Sequence, residues 1–453
     1  MRPFVPGTEW LVGRVSRASG WLWDRGFRFL VVLDAIGLFG SMIMINLVRF
    51  GRDWPTYSRS FYLAGFAAAT AIHVGINYFY GLYEREPRLG HRTWLPRALV
   101  ATGIGVGIQA VTFVFLDRYL MPRLNLAVFL FVGAVVLAAN RRFSRLLARR
   151  RQGLPRVVLM GAPADVARAV AHIATTEHEV EVVGEVDDPA HLRSTVERSG
   201  ATDVLLLDSA ALDNAFPDPM NALEATGISF LQSVGARDAL LGLQAVREIA
   251  GMPFVPLMVH SIPSYKARLK RIFDLSLTVG TMPLTVPLLI GLAAYVRIRA
   301  GRPVLYRQTR VGRGGELFVV VKFRTMRRDA EAGGVSLASA TDPRIVPGLK
   351  WMRDTRADEL PQLWNVLRNQ MSLVGPRPER PELTSDIERN VAGWVLRHQL
   401  PPGLTGLAQV NGRYTTSAEY KIGYDLQYIV NWSPVLDLQI LAKTVLVVLS
   451  RRV

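Results

Sequence analysis

The chain has 453 residues, a formal net charge of +17 and no cysteine, and 50% of its residues are hydrophobic. This length allows two or three domains, and the lack of cysteine excludes disulfides, thiolate zinc sites and cysteine nucleophiles. A basic balance suits nucleic acid, an anionic membrane surface or phosphorylated substrates as partners. Because the hydrophobic residues come in long runs, a membrane is the first inference.

Four hydrophobic runs in the first third of the chain predict transmembrane helices. Each is near the length that crosses about 30 Å of hydrocarbon, and four such runs are hard to explain as buried core helices. No small-residue cleavage site precedes the first run, so a cleavable signal peptide is not expected. The runs are residues 29–48, 61–80, 98–116 and 124–139.

Arginines around these runs predict their orientation. Arginine-rich segments precede the first run, separate the second from the third, and follow the fourth. Because basic residues are retained in the cytoplasm, both ends of the bundle are predicted to be cytoplasmic, although Arg49, Arg52 and Arg59 fall in the opposite loop. His73 and Asn77 lie four residues apart on the second run, and we expect them to hydrogen-bond within the bundle.

Short apolar strands alternate with helices after residue 155, which predicts a parallel α/β domain to about residue 250. Its first turn, at Gly161, lies where a dinucleotide-binding fold has Gly-x-Gly-x-x-Gly. Here the turn has a single glycine, and Asp165 near the helix start would repel a pyrophosphate. A structural or assembly role without a nucleotide cofactor is therefore predicted.

A fifth apolar run, residues 272–298, contains Pro283 and Pro287 and has basic residues on both flanks. If both flanks are cytoplasmic, the segment enters the membrane and returns, and the two prolines break the helix. The alternative is a kinked crossing, which would place the following domain on the opposite side of the membrane.

A last apolar stripe covers residues 435–449 near the end of the chain. Asp437, Gln439 and Lys443 make this stripe too polar for a confident membrane span. A helix that lies in the membrane interface is predicted instead.

Two adjacent carboxylates, Asp358 and Glu359, open the most distinctive motif. Pro361 suits a first helical turn, and apolar residues follow at helical spacing, so a buried helix is predicted to begin near Asp358. Partial positive charge at a helix N-terminus favours ionised carboxylates, which suit a nucleophile or a metal ligand. The apolar stripe consists of Leu360, Leu363, Trp364 and Leu367.

Several motifs in order resemble the catalytic domain of bacterial sugar transferases, the monotopic polyprenyl-phosphate glycosyl-1-phosphate transferases. The resemblance covers roughly residues 266–453, and less specifically the whole chain, because larger family members have a Rossmann-like domain before the catalytic domain. The motifs are Lys322-Phe323-Arg324-Thr325-Met326, Arg353, Asp358-Glu359-Leu360-Pro361-Gln362, Val374-Gly375-Pro376-Arg377-Pro378, Pro402-Gly403-Leu404-Thr405-Gly406 and Asn411-Gly412-Arg413.

The resemblance implies a membrane protein with three parts. These are an α-helical transmembrane bundle over residues 1–151, a Rossmann-like α/β domain over 152–252, and an α/β catalytic domain with a re-entrant membrane helix over 253–453. At the helix break the family has Ser-Pro, whereas this chain has Val286-Pro287, with Thr285 as the nearest hydroxyl.

The resemblance also implies roles for individual residues. Asp358 corresponds to the nucleophile that takes up the phosphosugar, and Glu359 to its partner carboxylate; both are implied ligands of Mg²⁺. Supporting roles are expected for Arg324 and Asp425. The residues implied to bind substrate phosphates are Lys322, Arg353, Arg377 and Arg413.

The implied activity is transfer of a sugar-1-phosphate from a nucleotide diphosphosugar, with UDP-hexoses favoured, to undecaprenyl phosphate. This reaction would initiate exopolysaccharide, capsule or O-antigen assembly at the bacterial inner membrane, with the catalytic domain in the cytoplasm; a homodimer is also expected. One alternative is a membrane scaffold with a degenerate site, yet only the serine at the break is missing. The other is a nucleic-acid-binding membrane protein, yet the aromatic residues lie mostly in apolar runs rather than among basic residues.

Overall fold

The computed structural model describes residues 27–51, 54, 57–84, 89, 94–116, 120–175, 180–235, 238, 246–257, 263–330, 342–412 and 417–449. The chain forms two compact units. The first comprises Met1–Ala215 and Ala222–Leu257, and the second Phe216–Asn221 and Met258–Val453.

Four helices of the first unit cover the four predicted hydrophobic runs and share one core around Leu38, Phe66 and Phe129. Helices α1, α3 and α4 are long and apolar enough to cross a bilayer. Helix α2 does not reach that hydropathy, and its spanning role stays a prediction. The helices are α1 (Phe27–Phe50), α2 (Arg59–Phe79), α3 (Trp94–Leu116) and α4 (Arg123–Gln152).

Buried polar contacts tie these helices together. Arg141 of α4 binds both carboxylate oxygens of Asp34 on α1, at 2.5 and 2.7 Å, and both residues are almost fully buried. The Arg141 Nε donates to the carbonyl of Leu82, at 3.3 Å. His73 of α2 accepts a hydrogen bond from the Gln109 amide of α3, at 3.0 Å, as expected, whereas the buried Asn77 amide has no hydrogen-bond partner among the described residues.

We expect Asp34→Asn to destabilise the bundle by ~3 kcal/mol, because Arg141 would keep a buried charge without its counter-ion. Thermal unfolding in detergent measures this effect. Arg142→Gln is the matched control, since Arg142 is the next residue of α4 and is exposed. Equal unfolding temperatures for the two variants would contradict a stabilising role for the Asp34–Arg141 pair.

The α/β domain has a six-stranded sheet in the order β2-β1-β3-β4-β6-β5, in which β1 to β4 are parallel and β6 is antiparallel to β4. The strands are β1 (Arg156–Met160), β2 (Glu181–Val186), β3 (Asp203–Leu206), β4 (Ser229–Ser233), β5 (Arg247–Ile249) and β6 (Met252–Leu257). The helices are α5 (Pro163–Thr175), α6 (Pro189–Ser199), α7 (Ser209–Ala215) and α8 (Met220–Ala225).

The crevice at the carboxyl ends of β1 and β3 is filled by the Asp208 side chain. The backbone N–H of Ala162 donates to one Asp208 oxygen, at 2.9 Å, and that of Ala211 donates to the other, at 2.6 Å. Nucleotide phosphates bind to backbone N–H groups at this position in doubly wound sheets. A carboxylate in that place supports the prediction that this domain binds no nucleotide.

The second unit begins with the long helix α9 (Ser264–Ala300) and continues with a hairpin of β7 (Leu305–Val311) and β8 (Leu317–Phe323). Two short strands, β9 (Ser372–Val374) and β10 (Gly403–Thr405), pair in parallel. The other helices are α10 (Lys350–Asp354), α11 (Leu363–Leu367), α12 (Pro381–Asn390), α13 (Leu407–Asn411), α14 (Ala418–Asn431) and α15 (Pro434–Leu449), with 3₁₀ helices at Ala357–Gln362 and Trp394–Gln399.

Helix α9 is continuous through Pro283 and Pro287, so the predicted break in the helix is not observed. A proline removes one backbone donor and can bend a helix without ending it. Helix α9 is also long and apolar enough to cross a bilayer, and Leu284 and Ile290 in its middle are 80% and 66% exposed. Its return to the same membrane face stays a prediction.

Both ends of α9 are fixed to the second unit. Lys270 near its start lies 2.9 Å from Asp437 of α15, and the Tyr295 hydroxyl near its end donates to the carbonyl of Gly348, at 2.9 Å. Asp437 is fully buried and also accepts from Tyr428, at 2.7 Å. Asp437, one of the polar residues that argued against a membrane span, thus faces Lys270 inside the protein, and the interfacial position of residues 435–449 stays a prediction.

Candidate active site

A backbone turn directs the two adjacent carboxylates into the protein. Arg356 joins α10 to the 3₁₀ helix Ala357–Gln362 in the left-handed conformation, with φ of 58°. A non-glycine residue pays roughly 1 kcal/mol of strain there, which the surrounding contacts must offset. The turn places Asp358 and Glu359 on the buried side, where they are only 8% and 6% exposed.

The apolar stripe that follows is buried only in part, because Leu360, Leu363 and Leu367 are half-buried and Trp364 is exposed. Trp364 is 53% exposed and stacks under the guanidinium of Arg368, whereas Gln362, Asn365 and Val366 are buried. The hydrophobic spacing therefore located the helical segment and its partly buried leucines, but it was wrong for Trp364. One of the buried polar residues, Asn365, hydrogen-bonds to the hairpin.

Asn365 couples that segment to strand β8. Its side-chain amide donates to the carbonyl of Val319, at 2.8 Å, and its oxygen accepts from the backbone N–H of Val321, at 3.3 Å. The next residue of β8, Lys322, is thereby held opposite the carboxylates. Its Nζ lies 2.7 Å from Glu359 Oε1.

Close backbone packing around Gly375 positions the loop that carries Arg377. The N–H of Gly375 donates to the carbonyl of Thr405, at 2.8 Å. A Cβ at Gly375 would lie 2.6 Å from the Pro401 carbonyl oxygen, and a Cβ at Gly406 would lie 2.2 Å from that of Gly375. These two motifs therefore require glycine because their backbones pack directly against each other.

Glu359 is surrounded by cations. Besides Lys322, its Oε1 lies 3.4 Å from Arg377 and 3.7 Å from Arg356. Burial alone would raise the pKa of Glu359, but the charges of Lys322, Arg377 and Arg356 outweigh burial and hold that pKa well below its ordinary value. Glu359 is therefore an ionised residue that orders three cations.

Asp358 has the opposite electrostatic character. Burial and the adjacent charge of Glu359 raise the pKa of Asp358 to about 6, although Lys322 and Arg353 act against them. Its Oδ1 is buried and has no hydrogen-bond partner among the described residues. The predicted stabilisation of both ionised carboxylates is thus wrong for Asp358, because burial outweighs the helix terminus.

One cavity of about 3330 Å³ contains the carboxylates and three of the predicted phosphate-binding residues, Lys322, Arg353 and Arg377. Arg324 also lines it, but its guanidinium donates to the carbonyls of Ala300 and Arg302 at the end of α9. The fourth predicted cation, Arg413, lies outside the described residues.

Some functional candidates were missed in the sequence. Arg356 contacts Glu359, and Arg310 donates to the carbonyl of Pro378 beside Arg377, at 3.0 Å. Arg356 lies two residues before Asp358 in the sequence, and this proximity could have predicted that it contacts the carboxylates. Arg310 lies in a strand with no motif around it, so only the hairpin geometry reveals it.

A set of positively charged side chains around two unequal carboxylates has a clear chemical use. Arginine and lysine side chains bind phosphate oxygens, and an unpartnered carboxylate oxygen can attack phosphorus. Comparisons with known proteins agree with this chemistry. The family description "Bacterial sugar transferase" matches residues 265–451.

A Caulobacter vibrioides protein named UDP-glucose:undecaprenyl-phosphate glucose-1-phosphate transferase is 39% identical over 181 residues, which is 39% of this chain and 68% of that protein. The chain belongs to the bacterial sugar transferase family. A similarly named Klebsiella pneumoniae protein is 39% identical over 203 residues. An Aeromonas hydrophila protein, named UDP-N-acetylgalactosamine-undecaprenyl-phosphate N-acetylgalactosaminephosphotransferase, is 37% identical over 187 residues.

The matched region is only part of the longer relatives. The match to the Klebsiella protein covers 44% of this chain and 44% of that protein. The match to the Aeromonas protein covers 41% of this chain and 44% of that protein. The likeness therefore concerns the unit that holds the carboxylates.

In this sugar transferase Asp425 does not line the cavity but positions a residue that does. Arg397 donates to Asp425, at 2.9 Å, and to the backbone carbonyl of Arg377, at 3.0 Å. Arg397 and Asp425 are each 2% exposed at their side chains, and Trp394 stacks on Arg397. Asp425 thus fixes the backbone from which Arg377 reaches Glu359.

We expect Asp425→Asn to lower the free energy of unfolding by ~3 kcal/mol, because Arg397 would be left as an unpaired buried charge. The KM for a phosphorylated substrate should also rise about tenfold as Arg377 loses its fixed position. Chemical unfolding and steady-state kinetics measure the two effects. The control is Glu419→Gln on the exposed side of the same helix, and a stable Asp425→Asn protein with normal KM would refute the positioning role.

The described residues contain no group of three acidic or histidine side chains that could hold a metal alone. Mg²⁺ often binds through one or two carboxylates and substrate phosphates, with water completing its shell. The unpartnered Oδ1 of Asp358 fits such a site, and Glu359 lies beside it. These two residues therefore suit a magnesium ion that arrives with a diphosphate.

Proposed function

We propose that this protein transfers a sugar-1-phosphate from a UDP-sugar to undecaprenyl phosphate, through a covalent phosphosugar on Asp358. This would be the first membrane-bound step in assembly of exopolysaccharide, capsule or O-antigen. The relatives with these named substrates support the proposal. A homodimer stays a prediction.

The observation that carries the proposal is the unequal pair of carboxylates. Glu359 is held by Lys322 and Arg377, whereas Asp358 Oδ1 is buried without a partner. A carboxylate that lacks hydrogen bonds is less stabilised and is a better nucleophile. Asp358 therefore suits attack, and Glu359 suits organisation of the phosphate-binding cations.

In the first step an Asp358 oxygen attacks the β-phosphorus of the UDP-sugar. A bond forms between that oxygen and phosphorus, and the bond from the β-phosphorus to the bridging oxygen breaks, so UMP leaves with the bonding electrons. Lys322, Arg353 and Arg377 line the same cavity and neutralise charge on the two phosphates. The product is an acyl phosphate that joins Asp358 to the sugar.

In the second step an oxygen of undecaprenyl phosphate attacks the same phosphorus. The bond to Asp358 breaks, the carboxylate is regenerated, and the sugar leaves as a lipid-linked diphosphate. Asp358 and Glu359 are the residues that would hold a magnesium ion together with the substrate phosphates. A bound Mg²⁺ would neutralise phosphate charge and help to orient the reacting groups.

We propose that α9 is a re-entrant membrane helix rather than a crossing one. Lys270 and Tyr295, near its two ends, both bind the second unit, while exposed apolar residues such as Leu284 lie between them. If α9 bends at Pro283 and Pro287 without ending, its two ends, which are bound to one globular unit, lie on one side of the membrane. Sugar nucleotides are cytosolic, so that side is proposed to be the cytoplasmic face of the inner membrane.

Cysteines placed in this cysteine-free chain test the topology. We expect Ser264→Cys and Glu316→Cys, one on each side of the apolar part of α9, both to resist an impermeant thiol reagent in intact cells and to react after permeabilisation. The cysteine is placed at Glu316 and not at its neighbour Gly315, because the φ of 82° at Gly315 disfavours a side chain. Labelling of Glu316→Cys alone from outside would show that α9 crosses the membrane.

The activity itself is tested by transfer of radiolabel into lipid extract. Membranes containing the protein are incubated with undecaprenyl phosphate and one of several labelled UDP-sugars, including UDP-glucose, UDP-galactose and UDP-N-acetylgalactosamine. We expect labelled lipid with at least one sugar, and none with Asp358→Asn membranes. Absence of labelled lipid with every UDP-sugar would contradict the proposed substrate class.

A further inference from the structure

Arg310 of strand β7 is a largely buried cation that lines the same cavity as the two carboxylates, and its side chain is 14% exposed. Its Nε and one terminal nitrogen donate to Oε1 of Gln308, at 3.1 and 2.7 Å. Its other terminal nitrogen donates to the carbonyl of Pro378, at 3.0 Å. Neutral oxygens therefore hold this guanidinium in one orientation.

The hydrogen bonds of Arg310 do not neutralise its positive charge. Among the described residues its nearest carboxylate is that of Glu379, at 3.9 Å, and it forms no ion pair with Asp358 or Glu359. Burial and the adjacent charge of Arg377 lower the pKa of Arg310, yet an arginine stays protonated at neutral pH. Arg310 and Arg377 therefore repel each other, and a bound anion would relieve this repulsion.

Two N–H groups of Arg310 remain for a ligand. A guanidinium has five N–H groups, and the contacts with Gln308 and Pro378 use three of them. One N–H on each terminal nitrogen has no acceptor in the described part of the chain, and such a pair can bind two oxygens of one phosphate. Gln308 thus fixes the guanidinium but leaves its charge and its terminal N–H groups available to a phosphate.

The place of Arg310 in the cavity favours one phosphate of the proposed donor. Arg377 lies 3.4 Å from Glu359, the neighbour of Asp358. Arg310 makes no such contact and is joined instead to Pro378, the residue after Arg377. The attacking and leaving oxygens are in line in phosphoryl transfer, so UMP leaves on the side away from Asp358. A cation beyond Arg377 is therefore placed for the α-phosphate of the nucleotide.

We propose that Arg310, held in place by Gln308, binds the α-phosphate of the UDP-sugar and stabilises UMP as it leaves. This inference rests on the proposed function and adds to it the group that binds the leaving nucleotide. The bridging oxygen keeps the electron pair of the broken bond, and Arg310 offsets the new negative charge without transferring a proton. Gln308 is then a positioning residue that must be neutral, because a carboxylate in its place would neutralise Arg310 before the substrate binds.

Two variants of Gln308 test its charge and its hydrogen bonds separately. Gln308→Glu has nearly the same shape and can accept the same two hydrogen bonds, so Arg310 keeps its orientation but gains a counter-ion. Gln308→Met adds no charge but removes the hydrogen bonds that orient Arg310. The matched control is Thr309→Glu, because Thr309 is exposed on the opposite face of the same strand and is not among the described residues that line the cavity.

Equilibrium dialysis of the whole chain in detergent, with labelled UMP or labelled uridine, measures the effect. We expect both Gln308 variants to raise the Kd for UMP at least about tenfold, since a charge-assisted contact to the phosphate is lost. The Kd for uridine, which has no phosphate, should stay within about twofold. Thr309→Glu should resemble the unaltered protein, and Gln308→Glu should unfold at no lower a temperature, because Arg310 gains a counter-ion.

Several results would overturn the proposal while the proposed function stands. An unchanged Kd for UMP in either Gln308 variant would show that Arg310 does not bind the phosphate in the orientation that Gln308 gives it. An equal rise in Thr309→Glu would assign the effect to charge on the strand, and an equal rise for uridine would assign it to distortion of the site. If the unaltered protein neither bound UMP nor released it from any UDP-sugar, the proposed function would fail, and the role of Arg310 with it.

Discussion

Asp358→Asn should abolish sugar-phosphate transfer, by on the order of 10³-fold or more, because a neutral amide cannot replace the attacking carboxylate. The two side chains have nearly the same shape, and Oδ1 of Asp358 has no hydrogen bond among the described residues for the change to break. Transfer of labelled sugar phosphate to undecaprenyl phosphate measures the loss. Asp386→Asn, at an exposed carboxylate of α12, is the control and should retain activity.

The same variant should be at least as stable as the unaltered protein. The pKa of Asp358 is raised in the folded state from 3.8 to about 6. The unfolded chain therefore ionises first, and the folded state loses stability as pH rises through this interval. At pH 7 the charge on Asp358 destabilises the fold, and Asn removes that charge. A marked fall in unfolding temperature would mean that the inactive protein is merely misfolded.

Glu359→Gln should lower activity by roughly 10²- to 10³-fold, because Lys322, Arg377 and Arg356 lose the charge that orders them. Its effect on stability should be opposite to that of Asp358→Asn. Because the pKa of Glu359 is lowered in the folded state, its ionised form stabilises the fold at pH values above the ordinary pKa of a glutamate. This stabilisation is lost as pH falls towards the lowered pKa. At pH 7 the free energy of unfolding should therefore fall by ~3 kcal/mol.

A second substitution, at Lys322, distinguishes the loss of ordered cations from the cost of leaving a buried lysine without its partner. Combining Glu359→Gln with Lys322→Met removes the lysine left without its partner and should recover part of the stability, but none of the activity. Steady-state kinetics and thermal unfolding of the two single variants and the double variant measure this coupling. Full activity of Glu359→Gln at ordinary Mg²⁺ concentration would contradict the role assigned to Glu359.

The sequence located the segment with the two carboxylates but not its environment. Adjacent carboxylates and ordered basic motifs identified Asp358, Glu359, Lys322 and Arg377, which the structure brings into one cavity. Hydrophobic spacing then predicted that Trp364 is buried, yet it is 53% exposed. Local spacing indicates a helix but does not fix which residues meet the rest of the unit, and here Val366 and the polar Asn365 both make that contact.

Long-range pairing was beyond local sequence patterns. Asp437 was read only as a polar residue that argues against a membrane span, yet it pairs with Lys270, which precedes it by more than half of the second unit. Arg397 had no motif of its own, and only the fold places it between Asp425 and the Arg377 carbonyl. The pKa of Asp358 is raised and that of Glu359 is lowered because of burial and of distances to cations, which the local sequence does not reveal.

Trapping the phosphosugar on the protein tests the central claim most directly. The unaltered protein is incubated with an accepted UDP-sugar and Mg²⁺ without lipid acceptor, quenched with acid, digested and analysed by peptide mass spectrometry. We expect stoichiometric release of UMP and one sugar phosphate on the peptide that contains Asp358. Hydroxylamine or added undecaprenyl phosphate should remove this sugar phosphate from the protein. An adduct on another residue, or UMP release that requires the acceptor, would contradict the proposed mechanism.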